Sequence, residues 1–367
     1  MRLTKVISLF SGCGGLDLGF KEEGFDIVWA NDKVPDVCKT YRSNVGDHIV
    51  CGDLNSVAIS DIPSGDILIG GPPCQSFSLL GRRRPGDERG GLAWKYLDIL
   101  KAKSPTFFLF ENVVGIKSAK TQDGRNVLQE LKKILLAIGY EINIFTINAA
   151  DYGVPQLRRR IFIVGSLNDK RVDCPIPTHS KTPKKTLTGE KLEEWISSAA
   201  AISDLPEPSE KDGIPYDKEP QNEYQRMMRK NSSAVYNHYP PYASETDMRI
   251  IKSVPPGGNY MNIPDEIATG RIMKFKSTGG RTTTYGRLHP DRPAYTINTY
   301  FDRPNVGCNI HYSKDRLITI REGLRLQSFP DDFIVYSTTK RNYYYQVGNA
   351  VPLLLAQAWA KKFKELS

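Results

Sequence analysis

The feature that most limits what this chain can fold into is the alternation within its first 165 residues of short apolar runs and amphipathic stretches. Short apolar runs bounded by turn residues read as buried strands, and the amphipathic segments between them as crossover helices. Strands are predicted at Lys5–Phe10, Ile27–Asn31, Ile49–Cys51, Ile67–Gly70, Thr106–Phe110, Ile142–Asn148 and Ile161–Gly165. Val127, Leu128, Leu131, Ile134, Leu135 and Ile138 recur at helical spacing and predict a helix over 125–138. The expected fold class is α/β, a doubly wound and mainly parallel sheet.

After Gly165 the texture changes. Pro175, Pro177, Pro183, Pro206 and Pro208 break up any long element, and a boundary near residue 175 follows. From there to about 330 the periodicity is weak, which predicts a smaller, irregular domain; apolar patterning returns at Pro352–Phe363 as a helix rejoining the first domain. The division expected is therefore 1–175, 176–330 and 331–367. A net charge of +9 favours a polyanionic partner, either nucleic acid or an acidic membrane surface. No apolar stretch approaches the ~20 residues of a membrane span, and Val6–Phe10 is too short for a secretory signal, so the expected location is cytoplasmic. Cysteines at 13, 38, 51, 74, 174 and 308 show no CxxC spacing, so neither a zinc cluster nor a disulfide framework is indicated.

Strand Lys5–Phe10 runs into Ser11-Gly12-Cys13-Gly14-Gly15 and then an amphipathic segment Leu16–Glu23, the order of a nucleotide-type cofactor site. Asp17 occupies the place of the third glycine in the dinucleotide fingerprint, which disfavours a pyrophosphate cradle and with it a nicotinamide dehydrogenase. Asp32 ends the second predicted strand and Asp53 the third. Each alone reads as a solvated cap, but their joint placement at successive strand ends favours a binding role, in which an acid at Asp32 can accept hydrogen bonds from ribose hydroxyls.

Gly70-Gly71-Pro72-Pro73-Cys74-Gln75-Ser76 follows the fourth predicted strand, and Phe110-Glu111-Asn112-Val113 closes the fifth. The prolines stop the strand and fix the backbone that presents Cys74. A lone cysteine is usually a small buried hydrophobe, whereas a thiol and a carboxylic acid at neighbouring strand ends can share one pocket. Asp151-Tyr152-Gly153-Val154-Pro155-Gln156-Leu157-Arg158-Arg159-Arg160 adds alternating cations at a strand entrance, of which Arg158 and Arg160 would share one side.

With these segments the chain resembles the cytosine carbon-5 DNA methyltransferases, in particular the bacterial modification enzymes. The resemblance implies the S-adenosylmethionine-dependent methyltransferase fold with a target-recognition domain. It assigns cofactor contacts to Phe10, Gly12, Gly14, Gly15, Leu16, Asp32, Asp53, Pro72, Leu92 and Asn349, with Asp32 standing where the family more often has Glu. Catalysis falls to Cys74 as nucleophile, Glu111 at ring nitrogen 3, Asn112 ordering the loop, Arg158 beside the flipped cytosine and Arg160 on the cofactor side. The implied partner is double-stranded DNA, with a cognate restriction endonuclease acting on the same site without direct contact, and no membrane.

Arg82, Arg83 and Arg84 lie in the glycine-rich stretch 76–91, which reads either as a cationic clamp on phosphate or as a solvated turn. Residues 271–292 carry the densest basic patch, and Arg271, Arg281 and Arg287 are the expected base-reading candidates. Pro293–Ile297 and Arg316–Asp331 match family segments that brace the recognition domain. A transfer-RNA cytosine-5 methyltransferase shares the catalytic motifs, but its Cys-Phe-Thr signature is absent. A non-catalytic nucleic-acid-binding paralogue would typically lack the thiol or the acid, and both are here.

Overall fold

A computed structural model describes residues 4–73, 91–121, 123–167, 170–185, 189 and 191–366. Cys74 and Arg82–Arg84 lie outside the described residues. The chain divides into two compact units, one of residues up to 148 with 159–176 and 355 onward, the other of 149–158 and 177–354. The expected third part does not stand apart, since 331–354 goes with the second unit and the remainder with the first.

The first unit is built on strands β1 (Lys5–Leu9), β2 (Asp26–Asp32), β3 (Ile49–Cys51), β4 (Ile67–Gly70), β5 (Phe107–Val113), β6 (Glu141–Asn148) and, after a two-residue strand β7 (Gln156–Leu157) in the other unit, β8 (Arg159–Ser166). Its seven-stranded sheet has the order β3-β2-β1-β4-β5-β8-β6. Pairs from β3 through β5 are parallel, and β8 runs antiparallel between β5 and β6. The order reverses between β1 and β4, so the ends of these two strands flank the switch point where α/β sheets bind ligands. Leu9 and Gly70 are register partners there. A Cβ on Gly70 would sit 2.5 Å from the Leu9 carbonyl oxygen, so the close approach requires glycine.

Strand alternation sends successive side chains to opposite faces, and both faces are apolar. Along β5, Phe108 and Phe110 pack edge-on against Tyr140 and Tyr96 at 5.0 and 5.3 Å. After α1 (Gly15–Glu22) and α2 (Pro35–Asn44), helices α3 (Gly91–Lys103) and α4 (Val127–Ala137) contribute Leu97, Leu100, Leu131 and Leu135 to the same core. Phe107 points the other way, 5.8 Å from Phe363 of the Leu353–Lys364 helix, whose Trp359 lies 5.1 Å from Phe162 of β8. That helix crosses α1 (Gly15–Glu22) at Gly19, where a Cβ would approach Ala356 Cβ to 2.5 Å.

The second unit has short helices and two- to four-residue strands around a small apolar cluster that includes Ile251, Tyr260, Ile272 and Leu317. Guanidinium groups do much of its cross-linking. Fully buried Arg325 bonds Asp331 at 2.6 Å through Nε and Nη2, and reaches Asp204 at 3.1 Å. Arg321 donates to the Tyr236, Pro330 and Phe333 carbonyls.

Asp17, in the third-glycine place, points into the first unit's interior with no exposure. Its Oδ1 accepts from Tyr41 Oη at 2.8 Å, and the same hydroxyl lies 2.8 Å from His48 Nε2. Burial raises this carboxyl from its ordinary 3.8 to about 6, opposed by the hydroxyls of Ser8 and Tyr41. A raised folded-state value means that stability linked to Asp17 is complete below 3.8, declines as pH rises and is lost above about 6. The change amounts to roughly 3 kcal/mol. Asp17→Asn should therefore gain on the wild type by about that amount between about pH 4 and pH 7 in urea titrations, and a pH-independent difference would contradict the assignment.

Candidate active site

At the end of β1 the backbone turns through left-handed conformations at Phe10 (φ 56°), Gly12 (φ 57°) and Gly14 (φ 93°). Phe10 is a non-glycine residue in this region, held by its packing against the core below. The turn is tied down by Asp32, whose Oδ2 accepts from Gly12 N at 3.1 Å and Oδ1 from Val34 N at 3.0 Å. Burial raises the Asp32 carboxyl, and the Val34 and Gly12 N–H groups oppose that. Each oxygen keeps lone-pair capacity for a further donor. Asn31 links the next strand end by donating to the Val50 and Gly52 carbonyls at 2.8 and 3.0 Å. Asp53 follows, exposed, with Oδ1 accepting from Asn55 N at 2.9 Å.

A cradle results. A Cβ added at Gly12 or at Gly52 would meet nothing within 4 Å, so open space borders both glycines. Gly14 has a packing role instead, because a Cβ there would lie 2.5 Å from Val45 Cγ2. Gly15 and Leu16 are buried at the start of α1, Pro72 is buried after β4, and Leu92 packs against the core at the start of α3. An open glycine turn, carboxylates at two strand ends and apolar neighbours suit a nucleoside group that carries no phosphate. Asn349, exposed at the end of the Lys340–Asn349 helix, belongs to the second unit.

β5 continues three residues past its predicted end because β8 keeps pairing with it, with Glu111 opposite Phe162, Asn112 opposite Ile161 and Val113 opposite Arg160. This brings Arg160 Nε to 3.0 Å from Glu111 Oε1, with both side chains nearly enclosed. Burial lowers the Arg160 guanidinium below its ordinary value, and the Glu111 carboxylate opposes that fall. The other oxygen, Oε2, lies against the Gly71 backbone, 2.9 Å from where a Cβ on Gly71 would stand. Asn112, on the opposite face of the strand, donates from Nδ2 to the Pro72 carbonyl at 2.9 Å and accepts from Val113 N at 2.9 Å. The acid is thus clamped to the Gly71–Pro73 segment that leads into Cys74.

Arg158 and Arg160 do not share a side. The strand breaks between Leu157 and Arg159: β7 pairs with Ala294–Tyr295 of the second unit, whereas β8 belongs to the first. Arg158 is 2% exposed, with Nη1 donating to Ile297 O at 3.1 Å and Nη2 to Gly348 O and Ala350 O at 3.0 Å. Arg160 is the arginine on Glu111, and Arg158 braces the end of the Lys340–Asn349 helix. Gln156, whose role the sequence did not disclose, bonds Leu326 O and Ile297 N at 3.1 and 2.9 Å.

Among the expected base readers, Arg271 and Arg281 are exposed, Arg271 lying 5.3 Å over the Phe275 ring. Arg287 is not available to a base. It is 4% exposed and donates to the carbonyls of Val254, Ile251, His311 and Lys314 and to Asp315 at 2.6 to 3.0 Å. The dense basic patch in the sequence mixes surface cations with this internal node. No cluster that could hold a metal ion occurs among the described residues, and no described helix is long and apolar enough to cross a membrane.

A family model described as C-5 cytosine-specific DNA methylase matches residues 4–365. The type II methyltransferase M.NgoFVII of Neisseria gonorrhoeae is 36% identical over 95% of this chain and 83% of its own. M.DdeI of Desulfomicrobium norvegicum is 34% identical over 97% of this chain and 88% of its own. In fold, the chain is similar to a protein of an E. coli prophage solved as a candidate DNA modification methyltransferase, with TM-score 0.73, 23% identity and coverage of 100% and 99%.

Removing a buried guanidinium strands several carbonyls at once. Arg158→Ala and Arg287→Ala should each lower unfolding free energy by roughly 2–5 kcal/mol, against about 0.5 kcal/mol or less for exposed Arg281→Ala. Chemical denaturation of the three variants checks this.

Proposed function

Because this chain belongs to the C-5 cytosine-specific DNA methylase family, we propose that it methylates carbon 5 of a cytosine turned out of a specific DNA duplex, through a covalent adduct at Cys74. We read it as the modification enzyme of a type II restriction-modification system acting in the cytoplasm. A cognate endonuclease would cut the same unmodified sequence without touching this protein. The observation that carries the chemistry is the Glu111–Arg160 pair set against Gly71, on the segment leading to Cys74.

Cytosine carbon 5 is too weak a nucleophile to accept a methyl group directly, and carbon 6 is hidden within the stack, so the base must leave the duplex. The Cys74 thiolate adds to carbon 6. Glu111 Oε2 shares a proton with ring nitrogen 3, drawing electrons across the ring and leaving carbon 5 electron-rich. Arg160, fixed on Oε1, holds the carboxyl in one orientation and leaves Oε2 for the ring. Asn112 keeps the acid's strand and the Pro72 backbone in register. S-adenosylmethionine supplies a methyl group on a sulfonium. Gly12 and Gly52 would leave room for it, Asp32 and Asp53 would take its ribose hydroxyls and adenine amine, and Phe10, Leu16, Pro72 and Leu92 would line its apolar surface. Asn349 is carried over to this role from the family alone. Loss of the carbon-5 proton and departure of Cys74 complete the turnover.

Bisulfite sequencing of DNA from cells expressing the wild type should reveal 5-methylcytosine within one recurring sequence, and none with Cys74→Ser. Methylation confined to transfer RNA would overturn the DNA reading. Glu111→Gln should slow single-turnover methylation by roughly 10²–10⁴-fold; an unchanged rate would remove Glu111 from the chemistry. For site choice, Arg271→Ala or Arg281→Ala should relax one position by ~1–3 kcal/mol in methylation of a random-sequence library. Replacement of Arg82, Arg83 and Arg84 should weaken all sequences alike.

A further inference from the structure

We propose that Arg303 and Arg341, gathered on the ring of Tyr300, form a clamp for one backbone phosphate of the DNA duplex. The inference rests on the DNA-methylating reading above but concerns a site apart from the basic patch at 271–292. The Arg341 guanidinium carbon lies 4.3 Å from the Tyr300 ring centroid, with Nη2 donating to Tyr300 Oη at 2.7 Å. The Arg303 guanidinium carbon lies 5.2 Å from the same centroid. Both arginines are exposed, and neither has a carboxylate within 4.0 Å among the described residues; the neighbouring Asp302 pairs with neither.

Two like charges on one ring repel each other, and the ring face and hydroxyl offset this only in part. The local field adds to the imbalance. Arg341 and Lys340 open the Lys340–Asn349 helix, whose first turn holds no acid, so cations stand where a helix disfavours them. An anion with several oxygens satisfies all of these donors together, and the fork of a guanidinium matches phosphate geometry.

The turn carrying Tyr300 and Arg303 is held firmly. Tyr300 N donates to Asn298 Oδ1 at 2.7 Å, Asn309 Nδ2 donates to Arg303 O at 2.8 Å, and Phe301 packs edge-on against Tyr344 at 4.5 Å. At the far end, a Cβ on Gly348 would stand 2.5 Å from the Asn298 carbonyl carbon. Only glycine lets the helix lie this close to the turn, so the backbone that carries the donors is preorganised and little of its freedom remains to be lost on binding.

The test is binding of the full-length protein to duplex DNA as a function of salt. Arg303→Ala and Arg341→Ala should each weaken binding roughly three- to ten-fold at physiological salt and reduce the log–log salt slope by up to about 1, and the double variant by about 1 in total because both hold the same phosphate, with the methylated sequence unchanged. Arg303→Lys and Arg341→Lys keep the charge and should keep the wild-type slope. If an alanine variant melts early, Tyr300→Phe decides: removing the hydroxyl that holds Arg341 should weaken duplex binding and leave the salt slope at its wild-type value, and wild-type binding would overturn the clamp. A wild-type slope in the alanine variants, a changed sequence preference, or a loss seen with a structured RNA but not with duplex DNA would each overturn the clamp. A wild type that binds duplex DNA with these slopes but leaves no 5-methylcytosine would instead overturn the methyltransferase reading and spare the clamp.

Discussion

The antiparallel pairing of β5 with β8 is what the geometry around Glu111 depends on. Without it β5 would end at Phe110, and Glu111 would sit on a free loop. With it, the Val113–Arg160 register sets a guanidinium on Glu111 at 3.0 Å and fixes one carboxyl oxygen while the other faces Gly71. An enclosed charge is tolerated when its partner is geometrically fixed, and two adjacent strands of one sheet supply that fixity at no cost in loop order. The Asn112 bond to Pro72 ties the acid's strand to the segment that follows β4.

The two units are stabilised differently. The first has two apolar faces on a seven-stranded sheet and needs few polar cross-links. The second has little regular structure, and its loops would leave many carbonyls without partners. Arg158, Arg287, Arg321 and Arg325 answer that need by each gathering several acceptors from separate segments. A guanidinium with five donors is suited to such a node, and losing one leaves several groups stranded. This is why arginines in this chain divide so sharply between interior braces and surface contacts.

That division also marks the limit of what the sequence discloses. The strands of the large sheet and α4 were legible because apolar periodicity follows directly from burial, and the turn after β1 because Gly12 and Gly14 allow the left-handed backbone found there. The end of β5 was not, because Glu111 and Asn112 read as polar termination when their partner strand lies some fifty residues on. Arg158 and Arg160 look equivalent at i and i+2, and only the break between β7 and β8 separates them. Arg287 likewise reads as one more cation in a basic run; its burial depends on carbonyls brought from Val254 and His311, which no local pattern announces.

In the proposed chemistry the Cys74 thiol bonds covalently to carbon 6 of the target base. That bond is tested most directly with duplex DNA carrying 5-fluorocytosine at the methylated position, where fluorine cannot leave as a cation and elimination stalls. Peptide mass spectrometry after denaturation should find the nucleotide attached at Cys74, in wild type and not in Cys74→Ser. Efficient methylation of ordinary DNA with no adduct, or an adduct at another residue, would contradict it.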